Sequence, residues 1–232
     1  MSENFLAVIP ARAGSKRVPK KNLRDFCGRP LLSWTIQAAL DSAIFSDVVV
    51  STDSEEIKRV AEDHGASVPF LRNNFVDDYS HAAKATIETV ERLLEHNSAA
   101  FSSVVQLMPV CPLRGAASIV EAADFFLGDP QRTSVVSANK PLFQPPWWAA
   151  QVDSTGHPEY LFPSKLSARS QDLPDLYFPN GAVWISDVEA LKNSGTFYSE
   201  GHRLFEMPWR ESLDIDSDED FEFTEMVRSW MN

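Results

Sequence analysis

Through its first 140 residues the chain alternates short β-branched runs with amphipathic stretches of helical period, and this rhythm restricts the fold more than any other feature. Phe5–Pro10 reads as a buried strand. Pro30 opens a helix over Leu31–Ser42, with Leu32, Ile36 and Ala39 or Leu40 on one face. Asp47–Thr52 reads as a strand buried on both faces, and Asp53 with Glu56 three residues on resembles a capping box for a helix to Asp63. Ala66–Leu71 is expected as a third strand, followed by a helix over Ser80–Glu95. A strand at Ser103–Leu107, a helix at Ala116–Phe126 and a strand at Thr133–Ala138 continue the series. Such alternation implies an α/β fold of three layers, a mostly parallel sheet with helices on both faces. Ligands of such sheets sit beyond the carboxyl ends of the strands, so the loops after strand 1 and after Val104–Leu107 are expected at the site.

The rhythm breaks at Lys140. From there to Pro179 come seven prolines, the pair Trp147–Trp148 and Leu161–Phe162, too apolar for a linker. This stretch reads as an excursion, about 140–178, within a single domain spanning 1–232, and its aromatics suit a subunit contact. Strand-like Gly181–Ser186 and a helix over Glu219–Met231 complete the chain.

Fifteen Phe and six Trp rule out a disordered chain. The formal charge of −12 argues against a nucleic-acid binder and against attraction to an anionic membrane. The charge is unevenly spread: six of the 21 Lys and Arg lie in Arg12–Arg24, a stretch of thirteen residues without an acid, leaving 15 cations against 33 acids elsewhere. Phe5–Pro10 is too short for a signal core or a membrane span, and Cys27 and Cys111 make no disulfide framework. A cytoplasmic protein with two reduced thiols is expected.

Two constellations carry chemistry. The first, from Pro10 to Asn22, follows strand 1 directly. Gly14 suits a tight turn whose N–H groups would form an anion nest; Arg12 can fork around a phosphate, and Lys16 and Lys21 supply movable charges. It is neither a Walker A loop nor a dinucleotide fingerprint, and suits a triphosphate whose leaving pyrophosphate must be stabilised. The second is Leu213–Asp220. Asp214 and Asp216 alternate on an extended segment, so both carboxylates face one side, as hard ligands for Mg²⁺ do. Asp218, Glu219 and Asp220 suit the first turn of the last helix.

The pieces I-P-A-R-x-G-S-K-R-x-P-x-K-N at 9–22, S-T-D at 51–53, F-L-R at 70–72, C-P-L-R at 111–114, Q-D-L-P at 171–174, N-G-A at 180–182 and S-L-D-I-D at 212–216 together resemble the acylneuraminate cytidylyltransferase family. The resemblance runs from Ile9 to Phe221. It implies a nucleotidyltransferase fold, transfer of CMP from CTP to a nine-carbon 2-keto sugar acid, dependence on Mg²⁺, and a homodimer in which the mid-chain insertion reaches the partner's site. By position, Arg12, Gly14, Ser15, Lys16 and Lys21 would hold the CTP phosphates, with Asn22, Arg72 and Gln106 facing the nucleoside. Asp214 and Asp216 would hold the metal, and with Arg12, Lys16 and Lys21 form the catalytic set. Gln171 and Asn180 would line the sugar site, with Lys140, Lys165 or Arg169 for its carboxylate. No general base stands out: His81, His157 and His202 read as surface or structural residues.

The sequence departs from the family pattern in several places. Gln106-Leu-Met-Pro-Val-Cys-Pro-Leu-Arg114 lacks the usual hydroxyls, Ala13 replaces a common Gly, and Arg169-Ser-Gln-Asp-Leu-Pro174 is similar to the pseudaminic acid branch. Asn180-Gly-Ala-Val-Trp184 instead resembles the sialic and legionaminic branches. Rival readings are a synthetase for an eight-carbon keto sugar acid and a non-catalytic nucleotide-binding module; the second gives Asp214 and Asp216 no role.

Overall fold

The computed structural model describes residues 4–15, 17–75, 82–96 and 101–231, so Lys16 and His81 lie outside the described residues. Ten strands and six helices, with short 3-10 turns between them, make up the described chain. The strands are β1 (Phe5–Pro10), β2 (Asp25–Phe26), β3 (Arg29–Pro30), β4 (Phe45–Ser51), β5 (Ser103–Gln106), β6 (Ser134–Asn139), β7 (Ala150–Val152), β8 (Pro158–Tyr160), β9 (Phe178–Asp187) and β10 (Arg203–Glu206). The helices are α1 (Leu31–Ser42), α2 (Glu55–Asp63), α3 (Ala82–His96), α4 (Ala116–Leu127), α5 (Val188–Ser194) and α6 (Asp218–Met231).

Six strands form the central sheet in the order β10-β6-β9-β5-β1-β4. Strand β1 pairs in parallel with β4 and β5, and β10 with β6; only β9 runs antiparallel, between β5 and β6. β1 is buried along its whole length, and its alternating side chains feed two cores. Phe5, Ala7 and Ile9 pack with Leu32 and Ile36 of α1, Ile57 of α2 and Ile119 and Phe126 of α4. Leu6 and Val8 pack against Val90 and Leu93 of α3 and Leu191 of α5. This is the expected three-layer α/β arrangement.

Several expectations shift. Ala66–Leu71 is not a strand but makes two isolated bridges, Ser67 to Val49 and Leu71 to Thr52, because Pro69 interrupts the ladder. The cap of α2 is Ser54, whose hydroxyl accepts from Ile57 N–H at 3.3 Å, rather than Asp53. Asp214–Asp216 is extended but unpaired with any strand. Strand β10 and helix α5 were not anticipated; both are short. The excursion leaves the end of β6 and returns at the start of β9, carrying the small hairpin β7–β8.

A third core fastens the C-terminal helix. Phe26, Leu31, Leu113, Ile215, Phe221 and Val227 cluster together, with Trp34 half-buried beside them. Phe221 stands edge-on to Phe26 at 5.5 Å between ring centres, and the Arg24 guanidinium lies 4.0 Å from the Phe221 ring centre. Arg29 and Arg228 approach the Trp34 ring centre at 3.5 and 4.1 Å. Both guanidinium groups lie against the one indole, which ties β3, α1 and α6 together. Ser217 and Asp220 form a reciprocal capping box at the start of α6: Ser217 Oγ accepts from Asp220 N–H at 3.2 Å, and Asp220 Oδ2 accepts from Ser217 N–H at 2.8 Å.

Phe221→Ala should cost about 3–5 kcal/mol in urea unfolding, because it empties a fully buried aromatic site. Exposed Phe223→Ala on the same helix should change stability by no more than about 0.5 kcal/mol.

Candidate active site

The carboxyl ends of β1 and β5 open onto a cleft of about 450 Å³. Its walls come from both ends of the chain: Arg12, Ser15, Lys21 and Asn22 from the loop after β1, Met108 and Val110 after β5, and Asp214 and Asp216 ahead of α6. A second cleft of about 310 Å³ adjoins it, lined by Arg72, Phe75, Ala82 and Ala85. Pro10, Arg12 and Met108 line both, so they form the boundary between the two. The volumes fall in the range of small-molecule sites.

The two constellations meet directly. Ile215 N–H donates to Val110 O at 3.0 Å, and the Ile215 side chain is fully buried, which leaves the flanking carboxylates on the cleft wall. Lys21 Nζ donates to Ile215 O at 2.7 Å and lies 3.4 Å from Asp216 Oδ1; Arg17 Nη2 donates to Asp216 Oδ2 at 3.0 Å. Asp220 Oδ2 also accepts from Asp216 N–H at 3.0 Å, so the cap of α6 holds the metal-ligand candidate by its backbone. Asp214 is exposed on the cleft wall. Desolvation by the surrounding walls, and then the charge of Asp216, push its carboxyl up to about 6, with Lys21 opposing the shift.

Two neighbouring carboxylates, the charge of Asp216 raising the proton affinity of Asp214, form a donor pair suited to a hard divalent cation, which would relieve their repulsion. Among the described residues no group of three or more His, Cys, Asp or Glu could enclose a metal, so a cation here would depend on the oxygens of its substrate.

The basic loop is less uniformly cationic than its sequence. Lys20 is spent on Glu56, with contacts of 3.1 and 3.0 Å to its two oxygens, and Arg24 pairs with Asp218. Among the described residues of the loop Lys20 is left-handed, at φ 52°, and the expected tight turn is centred on Gly14, where Ser15 N–H donates to Ala13 O at 3.1 Å. Asn22 is buried and donates from Nδ2 to Arg12 O at 3.0 Å, while its Oδ1 has no partner. Arg72 is also buried; Nη1 donates to Phe75 O at 2.9 Å and Nε has no partner.

Gln106 does not face either cleft, contrary to expectation. It is fully buried, its Oε1 accepting from Thr86 Oγ1 at 2.7 Å, and Met108, two residues on, occupies the cleft wall. Met108 is backed by Gly181: a Cβ on Gly181 would lie 3.2 Å from Met108 Cγ, so a larger residue there would push Met108 aside. Arg114 holds the same turn from beneath, fully buried and donating from Nη1 to Ala182 O at 2.7 Å and Met108 O at 3.3 Å. Burial brings its pKa down to about 10. Arg17 and Met108 were not singled out in the sequence as site residues. Arg17 lay within the recognised basic stretch, whereas no sequence signal pointed to Met108.

The expected sugar residues do not join these clefts within one chain. Lys140 Nζ pairs with Asp175 at 2.7 Å and Arg169 Nε with Asp172 at 2.7 Å; Gln171 is exposed, and Lys165 Nζ lies 5.8 Å from the Trp147 ring centre. Asn180 is held in place, accepting from Ser137 Oγ at 2.6 Å and donating to Asn139 Oδ1 at 3.1 Å. The histidines take structural parts: His157 lies in the β7–β8 turn, 2.7 Å from Thr155 Oγ1, and His202 Nδ1 lies 2.9 Å from Ser199 O.

Comparison with known proteins decides the family. A family model described as cytidylyltransferase matches residues 6–106. A CMP-N,N'-diacetyllegionaminic acid synthase from Legionella pneumophila is 39% identical over 96% of this chain and 95% of its own length. The chain belongs to the cytidylyltransferase family. A pseudaminic acid cytidylyltransferase from Campylobacter jejuni is 34% identical, again over 96% of this chain and 95% of its own. In fold, this cytidylyltransferase is similar to a CMP:2-keto-3-deoxy-manno-octonic acid synthetase solved with CTP, with a TM-score of 0.72 and 17% identity over 99% of this chain and all of the other. The nucleotidyltransferase fold and enzyme class expected from the sequence are thereby established. No helix among the described residues is long and apolar enough to cross a membrane.

The raised carboxyl of Asp214 has a consequence for stability. The folded protein keeps a proton that the unfolded chain gives up near its ordinary value of 3.8, so stability falls as pH rises towards 6 and the cost is fully present above that. Asp214→Asn should therefore melt higher than the wild type at about pH 8 in metal-free buffer, with the difference vanishing near pH 4. Equal melting temperatures across that range would refute the assignment.

Proposed function

We propose that the chain transfers CMP from CTP to the anomeric hydroxyl of a nonulosonic acid, a nine-carbon 2-keto sugar acid, with release of pyrophosphate. The observation that carries this reading is the convergence of Arg12, Ser15 and Lys21 with Asp214 and Asp216 in one cleft, from sequence positions some 200 residues apart. The names of the two relatives that share nearly its full length support the acceptor class.

Arg12 stands on the boundary of the two clefts, so its guanidinium reaches the phosphates while Arg72 and Asn22 meet the nucleoside. Both Arg72 and Asn22 keep a buried polar atom without a partner, which a bound nucleotide would satisfy. Lys21, already anchored on Ile215 O, offers its ammonium to the leaving pyrophosphate, as does Lys16 by sequence position. Asp214 and Asp216 would hold Mg²⁺. When bound, the ion supplies charge neutralisation at the reacting α-phosphate. The protein's own part is to align the attacking hydroxyl with the phosphorus and to stabilise charge, the usual division of labour in phosphoryl transfer.

The acceptor side is completed by a second copy in this reading. Lys140, Lys165, Arg169 and Gln171 sit on the excursion away from the clefts, and the same excursion exposes Phe143, Trp148, Leu161 and Phe162. A homodimer packed through these aromatics would bring such groups to the partner's cleft, near Asn180. CTP as donor substrate favours a cytoplasmic location. Among acceptors, pseudaminic and legionaminic acids are favoured over N-acetylneuraminate, since the relatives named for the first two match along nearly their whole length.

Incubation with CTP, Mg²⁺ and a panel of nonulosonic acids should release pyrophosphate with at least one member, and chelation of the metal should abolish it. Silence across the panel would sink the reading. Asp216→Asn should lower kcat by at least about 100-fold, or roughly 2.7 kcal/mol in barrier. Activity within about threefold of wild type would remove Asp216 from the reaction.

A further inference from the structure

Asp53 ends the S-T-D sequence after β4, and its carboxylate is free of the helix-capping duty that its position suggests, because Ser54 caps α2. Its Oδ1 instead accepts from Ala13 N–H at 2.8 Å, across a gap of 40 residues. That N–H belongs to the peptide joining Arg12 to Ala13. The carbonyl of the same peptide, Arg12 O, accepts from Asn22 Nδ2 at 3.0 Å. One peptide plane is therefore gripped on both sides, by a carboxylate from the β4 corner and an amide from the end of the basic loop.

The gripped peptide carries the side chain that matters most for two clefts at once. Arg12 lines both the phosphate cleft and the adjoining one, and its direction of entry is set by the backbone that Asp53 and Asn22 hold. Arg72 is tied to the same corner: its N–H donates to Thr52 O at 2.7 Å. Burial lowers the proton affinity of Arg72, and the charge of Asp53 opposes that loss. The corner thus fixes the backbone of both arginines, while the charge of Asp53 also acts on Arg72.

The geometry points to Asp53 as a positioning residue for the nucleotide: by clamping the Arg12–Ala13 peptide it sets where Arg12 enters the paired clefts. It touches no reacting atom. Its contribution is preorganisation, which is felt in binding more than in the chemical step. The inference rests on the cytidylyltransfer reading above, because that reading gives Arg12 its nucleotide.

The test compares wild type, Asp53→Ala and Asp53→Asn by steady-state kinetics and by the rise in melting temperature with CTP alone. Asp53→Ala should raise the KM for CTP about tenfold while kcat stays within about threefold. Asp53→Asn keeps an oxygen that can accept from Ala13 N–H and should restore KM to within about threefold of wild type. If alanine leaves KM and the CTP-induced shift unchanged, or if asparagine is as impaired as alanine, the clamp is refuted. Should the alanine protein not fold, Asp53→Ser, whose hydroxyl is too short to span the same gap, takes its place under the same criteria. A wild type that binds CTP yet releases no pyrophosphate would overturn the proposed function alone. The Asp53 inference would then be decided by the CTP-induced shifts of the variants.

Discussion

A single backbone hydrogen bond, Ile215 N–H to Val110 O at 3.0 Å, joins the last stretch of the chain to the loop after β5. Around it the Ile215 side chain is buried with Phe26, Leu113 and Phe221. Because side chains of an extended segment alternate, burying residue 215 commits residues 214 and 216 to the opposite side. The carboxylates therefore reach the cleft as a by-product of hydrophobic docking. The contacts of Arg29 and Arg228 with Trp34 and the Ser217–Asp220 capping box hold the following helix so that this docking has one register.

The same junction reorganises the charge. A basic stretch on an acidic protein would repel itself were its cations all free in one loop. Instead Lys20 is matched with Glu56, Arg24 with Asp218, and Arg17 and Lys21 with Asp216. These are partly exposed pairs, each of small net worth, and their value lies in where they point the side chains rather than in stability. Arg17 and Lys21 converge on a carboxylate that a metal would also claim, so arrival of a metal and a triphosphate would exchange one set of counter-charges for another.

Much of this was legible before any coordinates. The alternation of β-branched runs and helical periods specified the three layers because both signals are local, and β1 was recognisable from an apolar run buried on two faces. Lys21 and Asp214–Asp216 were legible because their chemistry is written in residue type and spacing. Gln106 misled, since its amide lies in a sequence that matches the nucleotide-facing pattern, and only the tertiary structure shows Thr86 taking its oxygen. Met108 gave no signal because an apolar residue after a buried strand reads as core. Ala66–Leu71 illustrates a different limit: its β-propensity was adequate, but a proline and the lack of a continuous neighbour reduced it to two bridges. The antiparallel direction of β9 was invisible, because strand direction is a property of pairing and leaves no local mark.

That antiparallel strand shapes what the molecule can become. Strands parallel to β1 finish at the ligand-bearing edge, whereas β9 begins there. The excursion consequently departs from the end of β6 and returns to the start of β9 on the same edge, a detour that crosses no layer. Its length and composition are decoupled from the sheet, so insertions or replacements there would leave the two clefts intact. An architecture whose excursion enters and leaves at one rim is suited to diversification by segment exchange.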